Sequence, residues 1–457
     1  MGVILLTFLR KQLRYFLTQK RKVYKQDYSV KRMEEEAIKR VMAKYRELIP
    51  KDIFSRDLKV YAPKTRKANV IVGPRRAGKT YFLYSLVKNQ KNPVVINFED
   101  NLLVGLDNQD LNKIPNYAKE LFGKENLCFF FDEIQNIIGW EKFITSLLNE
   151  GYDIYATGSN SKLLSKEIAT SLRGKSISYL MLPFSFKEFL RLKKIEIKED
   201  FKYSEKIYDI KKSFEEYFQF GGFPEIALND SVELKNKIIN SYFDSILYKD
   251  LVDRLKLKNI KLVEITIKYI LNLFGNTFSI ASFENYLKSN KISYSLEDVY
   301  NILKSIEDVF MAGYVREFSK SFKKTEVSKS KVYLFDTGYI NFLAKESEDK
   351  GRILENIVFI ELFRRAEEIE NKNIYFHSDQ KSECDFVITS RGKVSQAIQV
   401  CYKLNSENRQ REIDGIQSAM SKFRLSEGFI LTHDQSEIIN KDGKKIIIMP
   451  VWEWLLL

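Results

Sequence analysis

The stretch Gly73-Pro-Arg-Arg-Ala-Gly78-Lys79-Thr80 most restricts what this chain can fold into. Two glycines with four residues between them, followed by Lys-Thr, cradle phosphate only where a strand runs in and a helix runs out. The flanks meet that condition: Asn69–Val72 reads as a buried strand, and a helical segment follows Thr80. Glycine lets backbone N–H groups turn toward phosphate oxygens, and the N-terminus of a helix adds a favourable dipole. Gly73, Pro74, Arg75, Arg76, Ala77, Gly78, Lys79, Thr80 and Tyr81 are therefore the expected nucleotide-binding segment. Lys79 should reach the β- and γ-phosphates of ATP, and the Thr80 hydroxyl should join the shell of Mg2+. Arg75 and Arg76 lie inside the loop, open to phosphate or to a neighbouring subunit.

A second motif fits the first. Leu127–Phe131 reads as a strand and runs directly into Asp132-Glu133. Carboxylates there sit at the C-terminal edge of a parallel sheet, where open α/β sheets bind ligands. Asp132 is expected to hold Mg2+ and Glu133 to orient or deprotonate the attacking water. The next strand ends at Thr157-Gly-Ser-Asn160, so Asn160, and after it Ser159, could sense the γ-phosphate. Arg173 and Lys175 precede the fifth strand; each is a candidate to neutralise phosphoryl charge in trans or an ordinary surface residue. The expected catalytic set is Glu133, Lys79, Asn160 and Arg173, with Thr80 and Asp132 as metal ligands.

With 457 residues, the chain is too long for one ordinary core. Apolar helical spacing of Ile38, Val41, Met42, Tyr45 and Leu48 marks a helical segment over 1–50, preceded by a basic stretch, Arg10–Lys25. That stretch suits a phosphate or membrane contact, or a solvated docking helix. Candidate strands Asn69–Val72, Val94–Phe98, Leu127–Phe131, Asp153–Thr157 and Ile177–Leu182 define an α/β core over 51–186, each strand buried on both faces. Residues 187–260 read as a helical lid, broken at Gly221-Gly-Phe-Pro224. Helices capped by Ser279 and Ser295, then strands Tyr314–Phe318 and Lys331–Phe335, suggest a winged helix over 261–345. An α/β domain fills 346–457.

Val70–Thr80, Phe131-Asp-Glu-Ile-Gln135, Thr157–Asn160, Leu182-Pro-Phe-Ser-Phe186 and Gly221-Gly-Phe-Pro-Glu225 together resemble the archaeal AAA-type P-loop ATPases. The resemblance runs from about residue 50 to the end. It implies an AAA+-type core with a parallel sheet, a helical lid, a winged helix and a C-terminal restriction-endonuclease-like α/β domain. Many relatives carry Gly-Arg after the sensor segment; this chain has Gly174-Lys175, with Arg173 just before.

The nuclease-like pattern places an acid on a helix, an aspartate on a strand, and Glu-x-Lys on the next strand. Here Glu355 and Asp385 match, but Gln399 and Cys401 stand where Glu and Lys are expected. Lys403, two residues on, would share the face of Cys401 and could replace the lysine. Glu355, Asp385, Gln399 and Lys403 thus form a candidate degenerate site, either cleaving or retained for binding.

Lysine and arginine outnumber aspartate and glutamate 75 to 61, a net +14, which suits an anionic partner or a solvated basic surface. Wing residues Lys320, Lys323, Lys324, Lys329 and Lys331 suit DNA phosphate contacts; winged helices also bind proteins. Three scattered cysteines and an N-terminal apolar run of only six residues, Val3–Phe8, point to a cytoplasmic protein without stable membrane insertion. The expected activity is Mg-ATP hydrolysis coupled to DNA, with self-assembly in accord with a trans-acting arginine. The alternatives are an ATP-dependent switch on a protein partner and an ATP-regulated nuclease.

Overall fold

A computed structural model describes residues 34–457 except 62–64, 160–171, 173, 198–200, 253–258, 322, 324, 326–327, 344–348, 369–371 and 380–381. The stretch Arg10–Lys25, the run Val3–Phe8, Asn160, Arg173 and Lys324 lie outside these residues.

Five strands, β1 (Ala68–Val72), β2 (Asn92–Asn97), β3 (Leu127–Asp132), β4 (Asp153–Gly158) and β5 (Ser176–Leu180), form a parallel sheet in the order β2-β3-β4-β1-β5. Their apolar runs explain the arrangement, since strands covered by crossover helices on both faces have little use for alternation. β1 and β3 are buried throughout. The uniform burial expected of all five fails at β5, which is half-exposed along its length because it lies at the sheet edge. In the helix at residues 34–47, Ile38, Val41 and Met42 are buried, whereas Leu48, expected on that face, falls past the helix end and is 54% exposed.

Helices Phe186–Leu192, Lys206–Phe220 and Val232–Ser245 follow, the last continuing into a π-helix, Ile246–Val252. Ser185 opens the first through a capping box with Glu188. Ser279 caps Ile280–Ser289, and Ser295 caps Leu296–Asp308.

The remaining strands make one nine-stranded mixed sheet, ordered β13-β14-β12-β11-β10-β9-β7-β8-β6. They are β6 (Thr277–Phe278), β7 (Ala312–Glu317), β8 (Ser330–Leu334), β9 (Lys372–Ser378), β10 (Glu383–Ser390), β11 (Lys393–Val400), β12 (Glu427–Thr432), β13 (Glu437–Lys441) and β14 (Lys444–Pro450). The hairpin β7–β8 and the C-terminal strands share this sheet, because β7 pairs with β9 in parallel. Helix Lys350–Glu368 packs against β8, β9 and β11.

The Gly221-Gly222 break has a steric cause. Gly221 adopts φ +76°, and a Cβ there would lie 1.8 Å from an Asp336 carboxylate oxygen. That carboxylate accepts the backbone N–H groups of Gly222 and Gly338, both at 2.8 Å. Burial pushes its pKa up to about 7 despite those two donors.

Among the described residues, no helix is long and apolar enough to cross a membrane.

Candidate nucleotide site

The loop between β1 and helix Lys79–Val87 is shaped by close packing. A Cβ on Gly73 would sit 2.0 Å from the Met181 carbonyl oxygen, and Gly78 takes φ +96°. Arg76, without glycine's freedom, still adopts φ 65°. The buried Lys79 ammonium folds back onto the carbonyls of Gly73 (3.1 Å) and Pro74 (2.9 Å) and lies 3.9 Å from Glu133. Thr80 Oγ1 donates to Asp132 Oδ2 at 2.9 Å. Ala77 is buried, and Tyr81 points outward, 58% exposed.

Beyond β3, the chain turns sharply at Glu133, a left-handed residue with φ 52°. Such backbone is costly for a non-glycine residue and marks a position held by its surroundings. Thr157 Oγ1 does the holding: it accepts the Glu133 N–H at 3.0 Å and donates to Asp132 Oδ1 at 2.5 Å. Asn97, in register with Asp132 across β2–β3, donates to its other oxygen at 3.0 Å. Glu133 Oε2 receives Ser159 Oγ at 3.0 Å and Gln135 Nε2.

These surroundings separate the two acids. Burial, then the charge of Glu133, push Asp132 up to about 6 against the Thr157 and Thr80 hydroxyls. Burial also acts on Glu133, but Lys79, Gln135, Arg75 and Ser159 outweigh it and hold the group below the usual carboxylate range. The two neighbouring acids are thus driven apart in acidity, Asp132 upward and Glu133 downward.

Arg56, far upstream, completes the support and had no signal in the sequence. Its guanidinium reaches the carbonyls of Ala77 (2.8 Å) and Leu182 (2.7 Å) and the Glu188 carboxylate (2.8 Å). It fastens the phosphate loop to the segment after β5. Lys175 bonds Asn149 at 2.6 Å and precedes β5, at the sheet end opposite the phosphate loop. Within one chain it is remote from the phosphates.

A family model described as an AAA domain matches residues 65–190, the segment holding every contact just described except those made by Arg56 itself. An uncharacterized protein of Methanocaldococcus jannaschii is 40% identical over 412 residues, covering 88% of this chain and 91% of the relative. The chain belongs to that protein's family, and its segment 65–190 matches an AAA domain. A second relative, an uncharacterized protein of Haemophilus influenzae, is 28% identical over 398 residues, 85% of this chain and 94% of its own. Two models described as domains of unknown function match residues 211–350 and 350–454. Among solved structures, the Walker-type ATPase of Pyrococcus abyssi is 14% identical, with a TM-score of 0.36 over 65% of this chain and 99% of its own. Cdc6p of Pyrobaculum aerophilum is 10% identical, with a TM-score of 0.23 over 64% and 88%.

The chain carries a second acidic cluster in its C-terminal half. Glu355 and Asp385 come together as the nuclease-like pattern requires, but the cation between them is Lys331 of β8. Its ammonium lies 2.9 Å from Asp385, 3.1 Å from Glu355 and 2.8 Å from Glu383. Tyr333 donates to Glu355 at 2.5 Å, and burial, followed by the neighbouring Asp385, pushes the Glu355 pKa upward. Gln399 is also at the site: its Oε1 accepts the Asp385 N–H at 3.2 Å, and its Nε2 donates to Glu412 at 2.7 Å.

Two expectations are corrected here. Lys403 does not share this face, because β11 ends at Val400 and Lys403 is exposed beyond it. Lys331 is not an exposed hairpin lysine, because β8 is covered on both faces from Lys331 onward, and it is 4% exposed. Lys320, Lys323 and Lys329 remain exposed between β7 and β8.

Proposed function

We propose that this chain binds and hydrolyses Mg-ATP at Lys79, Thr80, Asp132 and Glu133, and uses the nucleotide to move its lid and winged-helix module. One observation carries the reading: Lys79 lies 3.9 Å from Glu133 while Thr80 touches Asp132 at 2.9 Å, so both motifs meet at one sheet edge. The donor set suits Mg2+, since a threonine hydroxyl and an aspartate carboxylate are hard oxygen ligands. When bound, the ion neutralises charge on the phosphates. Lys79 exchanges its backbone carbonyls for phosphate oxygens. Glu133, held ionised, takes a proton from the attacking water, with Ser159 and Gln135 fixing its carboxylate. Asn160 serves as γ-phosphate sensor, and Arg173 acts from a neighbouring copy of the chain.

The test is steady-state phosphate release beside ATP binding. Glu133→Gln should bind ATP as the parent does and turn over slowly. Turnover equal to the parent's would remove Glu133 from the reaction.

For the output, exposed Lys320, Lys323 and Lys329 suit DNA phosphate contact. ATPase stimulation by duplex DNA that fades with salt is the expected result. A second reading, a switch gripping a protein, is favoured by helix Leu296–Asp308: Leu296 and Tyr300 are 46% and 56% exposed one turn apart, beside Glu297 and Asp298. Such a face repels phosphate. DNA-independent turnover would favour this reading.

A further inference from the structure

Both arginines of the phosphate loop point to the lid of their own chain. Arg76 lies over the Tyr242 ring at 5.4 Å, and the Tyr242 hydroxyl donates to Glu225 at 2.5 Å. Arg75 Nε is 2.8 Å from the Asp250 carboxylate, and a terminal nitrogen of its guanidinium is 3.0 Å from Glu99 at the end of β2. Tyr242 belongs to helix Val232–Ser245, and Asp250 to the π-helix that continues it. A π-helical stretch is rare, and such turns recur at functional sites. This one packs against helices Ile260–Asn272 and Leu296–Asp308, the first and last helices before the wing. A continuous set of contacts therefore joins the phosphate loop to the winged helix, with the Arg75–Asp250 ion pair as its first link.

We propose that Arg75 is a nucleotide-responsive arginine: bound triphosphate draws it from Asp250, and the lost ion pair releases the π-helix from the phosphate loop. The inference rests on the ATP reading of this site and adds its regulation. The physical ground is competition for one cation. Arg75 is shared between Asp250, whose side chain is 13% exposed, and Glu99, whose side chain is 46% exposed. A triphosphate seated in the same loop brings several negative charges and bidentate phosphate oxygens, a stronger acceptor than the single Asp250 carboxylate. ADP, lacking the γ-phosphate, leaves Arg75 on Asp250. Two states of one ion pair then bias the lid, and the ligand shifts their balance through its unequal affinity for them.

The experiment compares amide hydrogen exchange over 246–252 in the full chain carrying Glu133→Gln, alone and with saturating Mg-ATP or Mg-ADP. Affinities for both nucleotides are measured in the same background with and without Asp250→Asn. ATP should speed exchange over 246–252 and ADP should not. Asp250→Asn keeps the side chain's shape and removes the competing charge, so it should raise the ATP-over-ADP preference about fivefold or more. Arg75→Ala should bind ATP more weakly and, at saturating ATP, lose the ATP-dependent change in exchange. ATP that binds while slowing or not altering exchange, or an unchanged preference in Asp250→Asn, overturns the proposal alone. Failure of every form to bind ATP overturns the underlying reading instead.

Discussion

Two lysines in this molecule are buried to the same extent, and their ammonium groups sit in opposite surroundings. Lys79 and Lys331 are each 4% exposed. Lys79 rests on two backbone carbonyls with its nearest acid at 3.9 Å, whereas Lys331 touches three carboxylates within 3.1 Å. Burial drives Lys79 below its ordinary pKa, with Glu133 only partly opposing it. The same burial at Lys331 is overcome by Asp385 and Glu355, which raise it well above. A buried cation served by neutral oxygens is completed by an incoming anion; one served by three acids needs none. Both regions have lysine and acids at a sheet edge, so residue types do not distinguish a binding site from a closed ionic knot. The partners of the cation do.

That contrast can be broken in four ways. Turnover comes first: Glu133→Gln should lower kcat by roughly a hundred- to ten-thousand-fold, the usual worth of a positioned base, with ATP affinity retained. Next is folding. Lys331→Met strands three carboxylates, two of them buried, and should lower stability by about 3–5 kcal/mol in urea unfolding. Lys79→Met, by contrast, should abolish ATP binding while leaving the urea midpoint near the parent's. If Lys331→Met proves neutral, the closed knot is not a structural element. Acidity gives a smaller effect. Because Asp132 is raised to about 6, its ionised form burdens the ligand-free fold above that pH, and below it a proton competes with Mg2+. Mg-ATP affinity should therefore weaken as pH falls through about 6, up to tenfold per unit, and Asp132→Asn should flatten the profile. Isothermal titration between pH 5 and 8 checks both. The smallest change is Ser159→Ala, which removes one hydrogen bond to Glu133 and should slow turnover by about three- to tenfold.

The nucleotide site was legible because its chemistry is local. Gly73 to Thr80 and Asp132-Glu133 each sit at the end of an apolar strand, and period and punctuation locate such ends. Its supports were harder to see. Thr157 and Asn97 matter through register, since strand neighbours in space are distant in sequence, and Arg56 through a fold-wide reach. The strands β6, β9 and β13 escaped notice because each is short or mixes polar residues with apolar ones. Lys331 was misread for a related reason. In a lysine-rich hairpin, composition suggests a solvated wing, but β8 is covered on both faces, and its lysine meets the packed helix bearing Glu355.

The pairing of β7 with β9 limits how this machine can move. A hairpin joined to the same hydrogen-bonded sheet as the C-terminal strands is coupled to them. A displacement of that hairpin is passed on through a sheet of nine strands, an arm roughly 38 Å broad at the usual inter-strand spacing. A small rotation at the phosphate edge would then become a long travel at β13, the outermost strand.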